Sequence, residues 1–211
     1  TIIEAMRTGA FATLSGGLSL AVASDLDDMP GVSPFAAASS AVLVCAAALA
    51  QECIEPNVAA LISQTVENDW LGVAVGPSGA LCGLLGEAHV LMQLRCDSRT
   101  LGGVIRIPDG LRLAAIDCGA SQPGHAEKFF QVRTATFMGR LLIDRIVRHE
   151  GLLAEQWDGH LSRVSVNDFV EQLRDRLPTK MLGRDFLERF GETGDRLTRI
   201  DPDQTYKIRS R

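Results

Sequence analysis

Between Trp70 and Gly86 the chain has no aspartate, glutamate, histidine, lysine or arginine. That stretch is apolar and punctuated by glycine, and it cannot offer a carboxylate or imidazole as a proton acceptor. Aromatic residues are also scarce, at 5% with a single tyrosine and two tryptophans, which excludes the stacking platforms that hold single-stranded nucleic acid. There is no excess of positive charge: 21 lysines and arginines face 26 acidic residues, for a net charge of −5. A nucleic-acid surface needs a basic stripe, so that class is excluded as well. The five cysteines, at 45, 53, 82, 96 and 118, form no Cys-x-x-Cys pair. This spacing argues against a disulfide framework and predicts buried free thiols in a reducing, cytoplasmic compartment. The four histidines (89, 125, 149, 160) lack the His-x-x-x-His spacing of a zinc site. No secretory signal pattern is visible. Met29 to Ala50 carries no charge. Its opening third contains Pro30, Gly31 and Pro34, and the rest is alanine and serine rather than leucine and phenylalanine, which excludes a membrane span. A buried helix packed on a sheet is the expectation there.

What is present is enough apolar side chain, 46% of 211 residues, to fill a sizeable core. Leu18, Leu20 and Val22 alternate with small residues and predict a strand. Asp25 to Pro30 reads as an acidic turn. Helices are predicted over Phe35–Gln51 and from Pro56 to Glu67, and a loop with a short buried helix over Trp70–Gly86. Val90–Leu94, Gly103–Ile107 and Leu111–Asp117 predict strands, the last two joined as a hairpin by Pro108-Asp109-Gly110. A long helix follows over His125–Arg148. Ser165 with Asp168 forms a capping signal. A short helix is predicted over Lys180–Phe190, then a polar tail from Thr193. Helices and strands mix without regular alternation, so the fold class is α+β, with a boundary near Ile107 separating 1–106 from 107–211.

Three segments can carry chemistry, and each has a plain structural reading beside it. Pro30-Gly31-Val32-Ser33-Pro34-Phe35 is a turn running into a small-residue helix. A phosphate needs such a helix start with free N–H groups, but Pro34 removes one donor and the P-loop lysine is absent. The same residues make an ordinary helix start. Glu67 closes a helix beside a glycine-rich loop and is either a cation ligand or a solvated last turn. Ile116-Asp117-Cys118-Gly119 is a predicted strand end entering a loop, where ligands often sit; Asp117 serves equally well as a turn former. Ser78, in Gly76-Pro77-Ser78-Gly79, is not in the Gly-x-Ser-x-Gly elbow of a hydrolase.

Taken together, these segments resemble the GHMP small-molecule kinases, in the galactokinase and L-arabinokinase branch. The resemblance is carried by Leu177-Pro178-Thr179-Lys180-Met181-Leu182-Gly183-Arg184-Asp185-Phe186-Leu187-Glu188, by Phe137-Met138-Gly139-Arg140 and by Gly86-Glu87-Ala88 with Cys96. Ile116-Asp117-Cys118-Gly119 with Val132-Arg133 adds to it. It runs nearly ungapped from Glu67 to Arg145 and resumes near Leu177. It implies an N-terminal part of the ribosomal-S5 type and a ferredoxin-like C-terminal part, both incomplete, as in the middle of a longer protein. It further implies transfer of the γ-phosphate of Mg-ATP to the anomeric hydroxyl of a monosaccharide, with no nucleic-acid or membrane partner. The residues it assigns are Gly31, Ser33, Ser39 and Ser40 to the nucleotide phosphates, and Glu67 with Ser40 to magnesium. Asp117, Gly119, Phe129 and Arg133 are assigned to the sugar.

The departures from the family pattern are as informative. The phosphate loop keeps Pro30, Gly31 and Ser39-Ser40-Ala41 but has one glycine and the intruding Pro34. The catalytic aspartate, expected twelve residues after Glu67, falls on Gly79; the alternative register puts it on Leu81. Neither is a carboxylate. The sugar-contacting tyrosine corresponds to Phe129, and Arg133 is kept. Three functions follow as expectations: a sugar-kinase fold without turnover, a kinase with an unconventional base, or a sugar- or nucleotide-binding regulatory module. If residue 79 faces a cleft, Gly79→Asp is expected to be tolerated.

Overall fold

The computed structural model describes residues 1–11, 14, 16–26, 33–116, 125–153 and 157–209. Their contacts divide the chain into two compact units, Thr1–Ala120 and Ser121–Arg211. Helix and strand are mixed in the chain, in keeping with an α+β class. No helix among the described residues is long and apolar enough to cross a membrane.

In the first unit, α1 (Ile2–Arg7), α2 (Pro34–Leu49), α3 (Pro56–Thr65) and α4 (Ser78–Leu85) precede a hairpin of β1 (Val90–Arg95) and β2 (Thr100–Arg106). Proline opens both α2 and α3. There its fixed φ suits the helix, and its missing N–H would have lacked an intrahelical partner anyway. One cluster packs Leu43, Ala46 and Ala47 of α2 on Ala5, Phe11, Ala59 and Ile62. A second joins α2, α3 and α4 through Ala36, Ala60, Ala80 and Leu81. These contacts are almost all alanine, so the three helices approach closely. Glu4 is buried in α1, where the Arg7 guanidinium donates to both its carboxylate oxygens. α3 ends in a wide, π-helical turn over Val66–Trp70.

Several sequence expectations are corrected here. The Leu18–Val22 segment forms no strand, and all three alternating residues are exposed; extended backbone becomes sheet only when a neighbour completes its ladder. The same holds for Leu111–Ile116, while Asp117 lies outside the described residues, as do 27–30 of the acidic turn. β2 pairs with β1 before it, not with the segment after Pro108-Asp109-Gly110. The turn that closes this hairpin is built by Asp97, whose Oδ1 accepts the Ser98 N–H at 2.8 Å, and by Arg99 at φ 54°. α2 packs on other helices rather than on a sheet. It is apolar on every side, so its composition did not fix a buried face, and Phe35, Val44 and Leu49 stay exposed. Cys45, Cys53, Cys82 and Cys96 are free, as expected, but exposed; Cys118 is outside the described residues.

The second unit is organised by α5 (His125–Glu150). α6 (Val166–Asp168), capped by Ser165 as its sequence predicts, continues into a π-helical turn. Then come β3 (Lys180–Leu182), α7 (Gly183–Phe190) and β4 (Thr205–Lys207). β3 and β4 pair antiparallel, Met181 opposite Tyr206. Lys180–Leu182 is therefore strand rather than the start of a helix. The core sets Met138, Leu142 and Ile143 of α5 against Leu173, Phe186 and Tyr206. Gly183 is dictated by this arrangement. A Cβ there would lie inside the contact distance of the Asp201 carbonyl oxygen, 2.9 Å from its carbon and 3.0 Å from Ile200 Cγ2. The tail from Thr193 is polar in composition, yet Thr193, Asp195, Thr198 and Ile200 are buried.

Candidate functional site

The residue at the position expected for a catalytic base touches the start of α2. A Cβ built on Gly79 would lie 2.8 Å from both Cβ and Oγ of Ser33 and 3.3 Å from Ala36 Cβ. One turn further on, Gly83 approaches the Ala37 Cα at 3.9 Å by the same measure. Gly79 is the second residue of α4 and Ser33 caps α2, so two helices begin side by side. Each helix start leaves N–H groups without intrahelical partners and carries the positive end of a dipole. At α2, Pro34 has no N–H and the Ala37 N–H is used on the Ser33 carbonyl at 3.1 Å, which leaves Phe35 and Ala36 as donors. At α4 the Leu81 N–H bonds to the Pro77 carbonyl at 3.0 Å, which leaves Ser78, Gly79 and Ala80. Paired N-termini of this kind favour an anion.

Ser33 is exposed, at φ 51° and ψ 57°, and its hydroxyl makes no capping bond. A left-handed serine carries a steric cost that glycine would not. Ser39 is buried, with its Oγ 3.3 Å from Thr1 Oγ1. Ser40 is buried too, and its Oγ has no hydrogen-bond partner. The same is true of Ser63 on α3, which the sequence did not single out. Buried hydroxyls normally find partners, so two orphans in one helical layer are unusual.

Glu67 lies in the π-helical turn, four residues beyond Ser63. Among the described residues no hydrogen bond or ion pair reaches its carboxylate, and burial raises its pKa. The turn holds the glycine-rich segment in place from the backbone. The Val73 N–H donates to the Glu67 carbonyl at 2.8 Å, the Val75 N–H to Asn68 Oδ1 at 2.9 Å, and Gln64 Nε2 to the Val75 carbonyl at 3.1 Å. Residues 71–77 are thereby fixed against the end of α3, and 78–85 against α2. A cavity of about 340 Å³ also lies beside α2, lined by Ala38, Ala41 and Cys45, but neither Ser33, Ser40, Glu67 nor Gly79 lines it.

In the second unit, Phe129 is 47% exposed on α5, edge-on to Phe130. Arg133 is already engaged. Its Nε and Nη2 both donate to Asp195 at 2.8 Å, and its guanidinium lies over the Phe137 ring at 4.8 Å. Asp195 is buried and also accepts from Thr198 Oγ1 at 2.7 Å. Burial pushes its pKa upward, but the Arg133 and Thr198 hydrogen bonds and the Arg133 charge outweigh that and bring it to about 2. Asp195 escaped sequence reasoning because its partner lies 62 residues away. Gly31, Asp117 and Gly119 lie outside the described residues. Among the described residues, no three histidine, cysteine or acidic side chains cluster as a metal site would require.

No protein-family model matches the chain, and no solved structure matches it. The chain is similar to the L-arabinokinase of Arabidopsis thaliana, with 27% identity over 215 residues, covering 92% of this chain and 21% of that protein. It therefore spans about a fifth of that relative's length.

Proposed function

We propose that this chain is a sugar-kinase-like segment of the GHMP type, able to hold a nucleotide phosphate but without turnover because no carboxylate stands where the base belongs. The similarity to an L-arabinokinase supports the kinase part. The observation that carries the rest is the contact of Gly79 with Ser33. It sets the wall that should bear the base against the helix start that should bind phosphate, and residues 70–86 offer no charged side chain. In this reading 1–106 belongs to the nucleotide-binding half and 107–211 to the ferredoxin-like half, and the free cysteines suit a cytoplasmic protein.

Magnesium takes oxygen ligands and is usually held by one or two carboxylates together with substrate phosphates. By the family resemblance, the half-buried carboxylate of Glu67 and the hydroxyl of Ser40, neither of which has a hydrogen-bond partner among the described residues, would hold the cation. Mg-ATP supplies the transferable phosphoryl group when bound. The N–H groups of Phe35 and Ala36 would donate to its phosphate oxygens, with Ser33 at the helix start; the resemblance adds Gly31. Positioning and charge stabilisation carry most of phosphoryl transfer. A general base adds roughly 10²- to 10⁴-fold, or about 3–5 kcal/mol of barrier. Phe129 at the tyrosine position leaves a sugar hydroxyl unpaired, at about 1–3 kcal/mol. The side chain of Arg133 spends Nε–H and one Nη2–H on Asp195 and retains its other three N–H donors for a sugar. These losses together account for binding without catalysis.

Calorimetry with Mg-ATP tests the reading. Binding that is present in the wild type and weakened about tenfold or more in Glu67→Gln supports it. Nucleotide binding unaffected by that change removes Glu67 from the site, and no binding at all removes the kinase-like reading.

A further inference from the structure

In the ribbon of β3 and β4, Lys180 stands directly opposite Lys207. The backbone hydrogen bonds fix the kind of pair they form. The Ile208 N–H donates to the Thr179 carbonyl at 3.0 Å, and the Gly183 N–H to the Gln204 carbonyl at 2.9 Å. Thr179–Ile208 and Gly183–Gln204 are therefore hydrogen-bonded positions of the antiparallel ladder. Such positions alternate along it, so Lys180–Lys207 is a non-hydrogen-bonded pair. Side chains lie closest at these positions and leave the ribbon on the same face. Two like charges set directly opposite destabilise a strand pair. Among the described residues, no ion pair offsets that repulsion at either lysine.

Both lysines line a cavity of about 470 Å³ beside α5, within the size range of small-molecule sites. No acidic residue lines it, so its charge is of one sign and favours an anion. Asp175 and Asp185 border a different cavity, which Lys180 also touches and Lys207 does not. The rest of the lining includes Val132 and Ala135 of α5 and Ile208 after β4. Val132 is 65% exposed, and apolar surface of this kind gains when it is covered. A lysine carries a point charge on a flexible four-carbon stem. Two ammonium groups on neighbouring stems can therefore converge on one acidic group without moving the backbone.

We infer that this cavity binds a small organic anion, whose acidic group bridges Lys180 and Lys207 and whose apolar body lies on Val132, Ala135 and Ile208. The inference needs no nucleotide and no phosphoryl transfer, so it stands or falls separately from the kinase-like reading. The test is a ¹H–¹⁵N NMR titration of the whole chain with three probes: phenylbutyrate, its neutral amide and inorganic sulfate. Phenylbutyrate should give saturable shifts at 131–136, 179–181 and 205–208, and its affinity should fall as salt rises. Lys207 is exposed, and Lys207→Gln should weaken that binding about 3- to 10-fold. The same change should raise the urea midpoint of the ligand-free chain, because it relieves the cross-strand repulsion. Lys180→Gln should act in the same two directions. Equal binding of the amide would overturn the anionic class, and equal binding of sulfate would overturn the role of the apolar wall. Absence of saturable shifts, shifts confined to residues 1–116, or binding indifferent to both lysine changes would overturn the site and leave the pair as a guard of the ribbon's edge.

Discussion

Gly79 stands against Ser33 so closely that a Cβ on the glycine would come within 2.8 Å of the serine's Cβ and Oγ. Contact at that distance forces a shift, so the simple expectation that Gly79→Asp is tolerated is corrected. The glycine serves close packing of α4 on α2.

Gly79→Asp alone should therefore destabilise the chain by about 1–3 kcal/mol, the usual cost of overpacking. Ser33→Gly removes the facing atoms and a left-handed serine, and should stabilise by up to about 1 kcal/mol. The double variant should be more stable than the sum of the two changes predicts, because they share one contact. Urea unfolding of the four proteins measures this coupling, and strict additivity would refute the contact.

The Arg133–Asp195 pair predicts an acid transition. Asp195, with a pKa near 2 in the folded chain and an ordinary value when unfolded, contributes stability that is complete above the unfolded value. That contribution, about 2 kcal/mol, is lost as pH falls through the folded one. Asp195→Asn should flatten this part of the profile and cost about 3–5 kcal/mol at neutral pH, since it leaves the Arg133 charge poorly paired. Thermal unfolding across pH 2–5 checks both.

Glu67 has the opposite sign. Burial raises its pKa, so the folded chain favours the protonated acid, and this contribution fades as pH rises through the folded value. Glu67→Gln should leave metal-free stability at neutral pH unchanged or higher, and should abolish any stabilisation by magnesium with nucleotide. Melting temperatures with and without Mg-ATP report both effects.

Gly183→Ala should be among the most damaging single-methyl changes in the chain, costing more than about 3 kcal/mol, because backbone rather than a movable side chain occupies the space. Gly151→Ala, with nothing near but φ 67°, should cost only about 1 kcal/mol. Denaturant midpoints of the two variants compare them.

Much of the helical framework was legible because its signals are local. Ser165 caps through the Asp168 N–H at 3.1 Å, as its spacing foretold, and α5 and the short helix α4 lie where they were expected. Strands were read less well. Leu18–Val22 and Leu111–Ile116 have the right alternation but no partner strand among the described residues, and pairing is a property of two segments rather than one. The Asp97–Arg99 turn was overlooked in favour of the stronger Pro108-Asp109-Gly110 signal. In the site, Glu67 and Gly79 were named from the family resemblance. Ser63 and Asp195 were not, because an orphaned hydroxyl and a 62-residue ion pair exist only once the chain has folded.

³¹P NMR of the chain with Mg-ATP and L-arabinose, in one tube, measures binding and turnover together. Perturbed nucleotide resonances with no growing sugar 1-phosphate signal are the predicted outcome. Steady accumulation of sugar 1-phosphate would contradict the claim that residues 70–86 lack a working base, and unperturbed ATP would contradict the claim that the paired helix starts still hold a phosphate.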